Sequence, residues 1–382
     1  MHSAVVSLLL SLVATLLLLQ SGGRLFKVRA TPADLARGLQ PTSLPVGGIA
    51  ILVGLCAGGL TLLAKAPFAT QFCWVALSAL LPLFVAGAAD DFWLRPSLLR
   101  RACITAAVCA VALMFFDAPP DHGLFRVGAV TVFVVAVTHS LTAVDSRNGA
   151  AAMCSLLIHA AVAYVAYSVG DTTIMLAALI VIGALLGVSF FSFQTDLARL
   201  GYSGCSLAGF STAALAVCLT LRHTEISVLF AVLLCSHSLI EAASAWKRKG
   251  LAGLDSVDNR VPSLLFHRLV RWATGNPPER RRPERDTSVM PHLWMLSVAS
   301  ITPALLWWKH TAALLAALML RVALHWAVSS LLQPPHGVVP ATETTPEMTP
   351  KMTPEIPPEM PPDPAFFLKS ARAASRAESG TQ

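Results

Sequence analysis

Charge is what this sequence has least of. Only 13% of its 382 residues are Asp, Glu, Lys or Arg, 55% are apolar, and mean hydropathy is +0.65. A water-soluble globular domain carries about a quarter charged residues, so that class is excluded. The chain has no Cys-x-x-Cys pair. Its 8 cysteines lie scattered, mostly inside apolar runs, which argues against zinc ligation or a disulfide framework and for buried thiols. The first apolar run, Ala4 to Leu19, has no basic leader and no small-residue cleavage site; it is expected to be a retained helix, not a signal peptide. No inverted repeat is visible and the acids sit at the ends of apolar runs, both of which count against a transporter. The net charge of +7 is topological on this composition, and no nucleic-acid partner is expected.

What the chain does have is a succession of apolar runs of bilayer-crossing length, near 4–20, 48–64, 73–89, 102–116, 127–144, 149–169, 172–191, 205–221, 226–246, 289–308 and 311–332. The expected fold is therefore all-α, a polytopic transmembrane helix bundle of about 10–11 spans. Connections of even number carry only Lys65, Arg126, Arg222 and Lys309, whereas those of odd number carry the basic residues from Arg24 to Arg37, Arg95 to Arg101, Arg147, Arg199 and Lys247 to Arg285. The positive-inside rule makes the odd face cytoplasmic, with the amino terminus outside and the carboxyl end inside. The loops 22–47, 90–101, 145–148, 192–204 and 247–288 then share one face. Residues 1–333 form the membrane domain. Residues 334–382, where Thr345-Pro-Glu-Met, Thr349-Pro-Lys-Met and Thr353-Pro-Glu-Ile repeat a Pro-rich unit, are expected to be a disordered cytoplasmic tail.

The chain is organised around Gly87-Ala-Ala-Asp90-Asp91-Phe92, where two adjacent carboxylates close the third run; Asp145 closes the fifth. Acids in hydrocarbon are costly, so acids at run ends usually lie at a membrane face. Such a pair can hold a divalent cation, share a proton, or simply end a helix in water. Other polar sequence elements fall on the same face. Pro41-Thr-Ser-Leu-Pro-Val-Gly47-Gly48 opens the second run, Thr142-Ala-Val-Asp145-Ser-Arg-Asn148-Gly149 follows the fifth, Gly201-Tyr-Ser203-Gly204-Cys-Ser206 opens the eighth, and Leu264-Leu-Phe-His267-Arg268 follows the ninth.

In order and spacing these motifs resemble the polyprenyl-phosphate N-acetylhexosamine-1-phosphate transferases (glycosyltransferase family 4), over roughly residues 1–275. The resemblance implies transfer of a phospho-N-acetylhexosamine from a UDP-sugar to undecaprenyl phosphate, with release of UMP, at the start of cell-envelope glycan synthesis. It implies Mg²⁺ (or Mn²⁺) as cofactor, membrane lipid around the chain, the bacterial inner membrane as location with a cytoplasmic active face, and room for a homodimer. By the same resemblance Asp90, Asp91 and Asp145 are the catalytic candidates. Asp91 and Asp145 are the metal candidates, and Gly47, Gly48, Asn148, Ser203, Gly204, His267 and Arg268 the substrate-binding ones.

The sequence departs from the family where metal ligands are expected. Thr142 stands for the usual Asn, Asn148 for the second Asp of that loop, and Tyr202 for an Asp. Neither a Thr hydroxyl nor a Tyr hydroxyl with a pKa of about 10 is a good Mg²⁺ ligand. The Arg expected ahead of Gly47-Gly48 is missing, and the His-rich motif keeps only His267. Three accounts stay open: a metal held by the remaining acids and substrate phosphates; Asp196 in place of the lost acid; or a catalytically inactive homologue that binds polyprenyl phosphate or a partner. Of the other polar residues inside runs, His159, His237 and His325 are expected to be packed, hydrogen-bonded helix residues. Glu241 and Arg321, as ions within runs, are functional hints by default; a helix-end salt bridge with Lys247 is the alternative for Glu241, Arg321 has no nameable partner, and Gly58, Gly59, Gly183 and Gly187 are expected at close helix contacts.

Overall fold

A computed structural model describes residues 1–25, 45–66, 69–92, 97–115, 124–145, 149–193, 198–244 and 290–331. They form helices α1 (His2–Leu25), α2 (Gly47–Lys65), α3 (Thr70–Phe92), α4 (Leu98–Met114), α5 (Leu124–Val144), α6 (Ala150–Ser168), α7 (Thr172–Ser192), α8 (Gly201–Arg222), α9 (Val228–Leu234), α10 (Met290–Leu306) and α11 (Thr311–Leu331). No strand element occurs among the described residues. The all-α expectation holds because hydrocarbon offers the backbone no partners, so each spanning segment must satisfy its own amides.

Among the described residues, by length and composition 7 helices, α1, α2, α3, α5, α6, α7 and α8, contain a stretch long and apolar enough to cross a membrane. Trp294–Leu306 and Thr311–Ala327 are shorter apolar stretches. The run 226–246 is not one helix: α9 ends at Leu234, Cys235 forms a turn, and helix resumes over 236–244. Two hydroxyls follow the interruption. Ser236 Oγ donates to Leu233 O at 2.7 Å and Ser238 Oγ to Cys235 O at 3.0 Å, the local competition that loosens a helix ladder.

The axis of the bundle is α8. From Gly201 to Thr220 every residue except Tyr202 and Ala214 is buried, and α8 packs against α2, α3, α5, α6, α7 and α9. Its first half is Gly, Ser, Cys and Ala rich, the small residues that let membrane helices approach where hydrophobicity gives them no reason to. Large apolar side chains such as Trp74, Val85, Phe125 and Leu320 are instead exposed, as a lipid-facing perimeter requires.

Helix α1 docks by a seam of hydroxyls. Ser3, Ser7, Ser11 and Thr15, four residues apart, are all buried; Ser7 Oγ donates to Ile180 O at 2.8 Å and Ser11 Oγ to Ala184 O at 2.7 Å on α7. Gly183 and Gly187 make room, since a Cβ on either would meet α1 backbone, at Leu12 N 2.7 Å away for Gly187. Gly58 serves the same seam, while Gly59 faces Leu77 of α3 at ordinary van der Waals distance, 3.4 Å.

The buried histidines are hydrogen-bonded. His159 Nδ1 meets Ser155 O at 2.7 Å, and His325 Nε2 meets Ser244 Oγ at 3.1 Å. Arg321 finds partners that sequence alone does not name: its Nη2 donates to His237 Nδ1 at 3.0 Å and its Nε to Ser300 Oγ at 2.9 Å. Glu241 lies 3.9 Å from His325; Lys247, its candidate partner, lies outside the described residues, as does the 334–382 tail.

Candidate functional site

The polar end of α8 begins with a glycine that has no substitute. Gly201 has φ +69°, and a Cβ there would stand 2.7 Å from the Asp91 carboxylate; left-handed backbone of this kind suits glycine. The first turn of any helix leaves amides without intrahelical acceptors. In α8 they are met from another helix. Asp91, in the last turn of α3, accepts from Tyr202 N–H at 2.9 Å on Oδ1, and from Ser203 N–H at 3.0 Å and Ser203 Oγ–H at 2.7 Å on Oδ2. A carboxylate at this position also meets the positive end of the helix dipole.

Glycines bring the backbones together. A Cβ on Gly48 would collide with the Ser203 side chain and one on Gly87 with the Ser203 backbone. Gly47 N–H donates to Arg199 O at 2.9 Å, tying the start of α2 to the segment that leads into α8. Gly204 lies in the same contact: a Cβ there would come within 3.2 Å of Gly48 N. Gly47, Gly48 and Gly204 are therefore close-packing positions in this structure.

Asp90 takes the other side. Its Oδ2 meets Arg101 Nη1 at 3.3 Å, and the two side chains are only 6% and 10% exposed. Arg101 opens α4, and its guanidinium carbon lies 4.7 Å from the centre of the Tyr202 ring, within cation–π range. One turn on, Thr105 Oγ donates to Arg101 O at 3.0 Å and lies 3.2 Å from His139 Nε2 on α5. The Arg101 Nε is buried and has no hydrogen-bond partner among the described residues.

Asp145 ends α5, where its N–H donates to Leu141 O at 3.0 Å. Its half-buried carboxyl group is hydrogen-bonded to the Cys205 thiol. The structure thus gathers Asp90, Asp91, Asp145, Gly47, Gly48, Ser203 and Gly204 at one end of α8. Asn148, Asp196, His267 and Arg268 lie outside the described residues. Reading by sequence passed over Arg101, Arg199 and Cys205. For Arg101 there was a signal: a Tyr where an acid is expected, with an Arg nearby on the same face.

The described residues do not by themselves fit a Mg²⁺ site. No group of three or more His, Cys, Asp or Glu among them is placed to hold a metal ion. Asp91 already accepts three hydrogen bonds, Asp90 faces a guanidinium, and the Thr142 hydroxyl donates back to His139 O at 2.6 Å. A hard cation wants several free oxygens.

Residues 73–220, from α3 to the last turn of α8 and including all three acids and Tyr202, match the family model described as glycosyl transferase family 4. Over that stretch the chain is similar to that family. Over 282 residues, 70% of this chain and 77% of the relative, it is 23% identical to the probable undecaprenyl-phosphate N-acetylglucosaminyl 1-phosphate transferase of Bacillus subtilis (strain 168). At the cluster itself Tyr202, which stands where the resemblance leads one to expect an acid, has the guanidinium of Arg101 over its ring.

Proposed function

We propose that the protein is a membrane glycosyl-1-phosphate transferase that moves a phospho-N-acetylhexosamine from a UDP-sugar to undecaprenyl phosphate, releasing UMP, with the acid cluster at the start of α8 as its site. The observation that carries this reading is the convergence of Asp90, Asp91 and Asp145, from α3 and α5, on the first turn of α8, within the stretch that matches the family 4 model. In this reading that end of the bundle faces the cytoplasm from a bacterial inner membrane, an orientation that the skewed distribution of basic residues supports, and a water-borne nucleotide sugar meets a lipid phosphate there at headgroup level.

The chemistry asks for position and charge more than for proton transfer. A phosphate monoester has a second pKa of about 6, so the lipid phosphate is already a nucleophile at neutral pH. An oxygen of the lipid phosphate bonds to the β-phosphorus, the bond from that phosphorus to the bridging oxygen breaks, and the electron pair leaves on UMP. Catalysis of such a transfer is mostly alignment and stabilisation of charge on the phosphoryl oxygens. In this assignment Asp91 fixes the start of α8, Asp90 positions Arg101, and Asp145 lines the site beside Cys205. An apolar groove on α8, lined by Leu55, Gly59, Leu77, Phe210 and Leu215, is a candidate for part of the polyprenyl chain. Asn148, His267 and Arg268 are candidates for substrate contact on the strength of the resemblance.

A second reading has its own support. Tyr202 in place of an acid, and an Asp91 engaged by three donors, suit a homologue that keeps the fold and binds polyprenyl phosphate without catalysis. UMP release from a panel of UDP-N-acetylhexosamines, by the purified chain supplied with undecaprenyl phosphate, separates the two. The transferase reading expects lipid-dependent UMP release with at least one donor; its absence throughout, in folded protein, leaves the binding homologue.

A further inference from the structure

We infer that this site binds the diphosphate of its nucleotide substrate through the Arg101 guanidinium, steadied on the Tyr202 ring, and without a divalent cation held by its acids. The inference rests on the transferase reading above and deepens it.

The first ground is how the acids are engaged. A Mg²⁺ site needs carboxylate oxygens turned to the ion. Here Asp91 is committed to Tyr202 N–H, Ser203 N–H and Ser203 Oγ–H. Asp90 faces Arg101 at 3.3 Å, and Asp145 is bonded to the Cys205 thiol. Each negative charge is met by a fixed group of this chain. The second ground is Arg101 itself. Guanidinium has five N–H donors and no acceptor. Nη1 is turned to Asp90, yet the buried Nε has no partner among the described residues. A donor buried without an acceptor is costly to maintain, and a phosphate oxygen is the acceptor that a guanidinium fork matches best.

Tyr202 ties the two grounds together. An acid at this position could ligate a metal; the phenol ring cannot, and it instead presents a π face to Arg101, whose guanidinium carbon lies 4.7 Å from the ring centre. One residue thereby both removes a metal ligand and orders a cation. In phosphoryl transfer an arginine placed on the transferring group takes up developing charge much as a metal does. Arg101 is then a diphosphate-binding residue, with Tyr202 and Asp90 as its positioning residues.

The test is equilibrium binding of UDP, and in parallel of inorganic pyrophosphate, to the purified full chain in nanodiscs, once in EDTA and once in Mg²⁺. The expected result is UDP affinity equal within about twofold in the two buffers and weakened about tenfold or more by Arg101→Gln. Arg101→Lys, which keeps the charge but not the planar fork, does not restore it. Because Arg101→Gln leaves Asp90 buried opposite a neutral group, the double variant Asp90→Asn/Arg101→Gln, which removes both charges, is measured beside it and shows the same loss. Asp90→Asn alone, which removes the group that positions Arg101, weakens UDP binding to the same extent in EDTA and in Mg²⁺; a metal held by Asp90 would confine the loss to the Mg²⁺ buffer. Tyr202→Leu weakens binding several-fold and Tyr202→Phe, which keeps the ring, does not. Binding of UDP that appears only with Mg²⁺, binding indifferent to the double variant, or no binding in either buffer overturns the inference. UMP release that requires Mg²⁺ leaves the transferase standing and removes this inference. Metal-free, Arg101-dependent binding without UMP release does the reverse.

Discussion

Helix α8 meets a carboxylate at each end, and the two meetings differ in kind. At its last turn Arg222 Nη1 lies 3.5 Å and His223 Nε2 3.2 Å from Asp171 Oδ2, and the Arg222 side chain is 38% exposed. Asp171 is itself the N-cap of α7, accepting from Ile174 N–H at 3.0 Å. Asp171 is thus a cap that also pairs, from the start of α7, with a half-exposed Arg222 and with His223, 52 residues on. At the first turn of α8, Asp91 caps the helix from 111 residues away. Its neighbour Asp90 holds a buried Arg101 over an aromatic ring, and a buried donor is left over. An acid at the end of an apolar run is therefore not in itself a site. What separates the two ends is that carboxylates from two helices, α3 and α5, converge on the first turn of α8, and that a buried donor there has no partner among the described residues.

The largest expected contrast is in stability. Asp91→Ala strips two backbone amides and a hydroxyl of their acceptor in a buried contact and should lower stability by about 3 kcal/mol, read as a fall in thermal midpoint of the detergent-solubilised chain by tryptophan fluorescence. Asp171→Ala removes one cap and a partly screened pair and should lower it by about 1 kcal/mol. Equal losses at the two ends would break the contrast. Next comes turnover: Asp90→Asn, which loosens Arg101, should reduce UMP release about 100-fold, while Asp171→Asn leaves it within about twofold. Packing sharpens the same end of α8, because Gly87→Ala forces a Cβ into the Ser203 backbone and should cost about 1–3 kcal/mol. The smallest effect belongs to the exposed pair Lys309–Glu225, 2.8 Å apart with side chains 50% and 49% exposed. Lys309→Ala should leave the thermal midpoint unchanged within error.

The helices were legible because the physics is one-dimensional. An apolar run in lipid has to be a helix, so a run read as 73–89 becomes Thr70–Phe92 and one read as 172–191 becomes Thr172–Ser192. The interruption at Cys235 was not legible, since Ser236 and Ser238 do not announce which carbonyls they will take. At the candidate site the acids and the glycines stood out in the sequence, but their use did not. Gly47 and Gly48 are expected substrate contacts by resemblance, and in the structure they also pack closely on the Arg199 backbone and the Ser203 side chain. That Asp91 would cap a helix more than a hundred residues on, or that Arg321 would find His237 and Ser300, depends on which helices become neighbours, and periodicity carries no such information.

The account stands most directly on UMP release by the purified chain in liposomes containing undecaprenyl phosphate, measured for the unaltered protein, Asp90→Asn and Asp171→Asn with a UDP-N-acetylhexosamine donor. It predicts lipid-dependent release by the unaltered protein and by Asp171→Asn, and near loss in Asp90→Asn. Release that is equal in all three, or absent with every donor from protein that is folded, would contradict it.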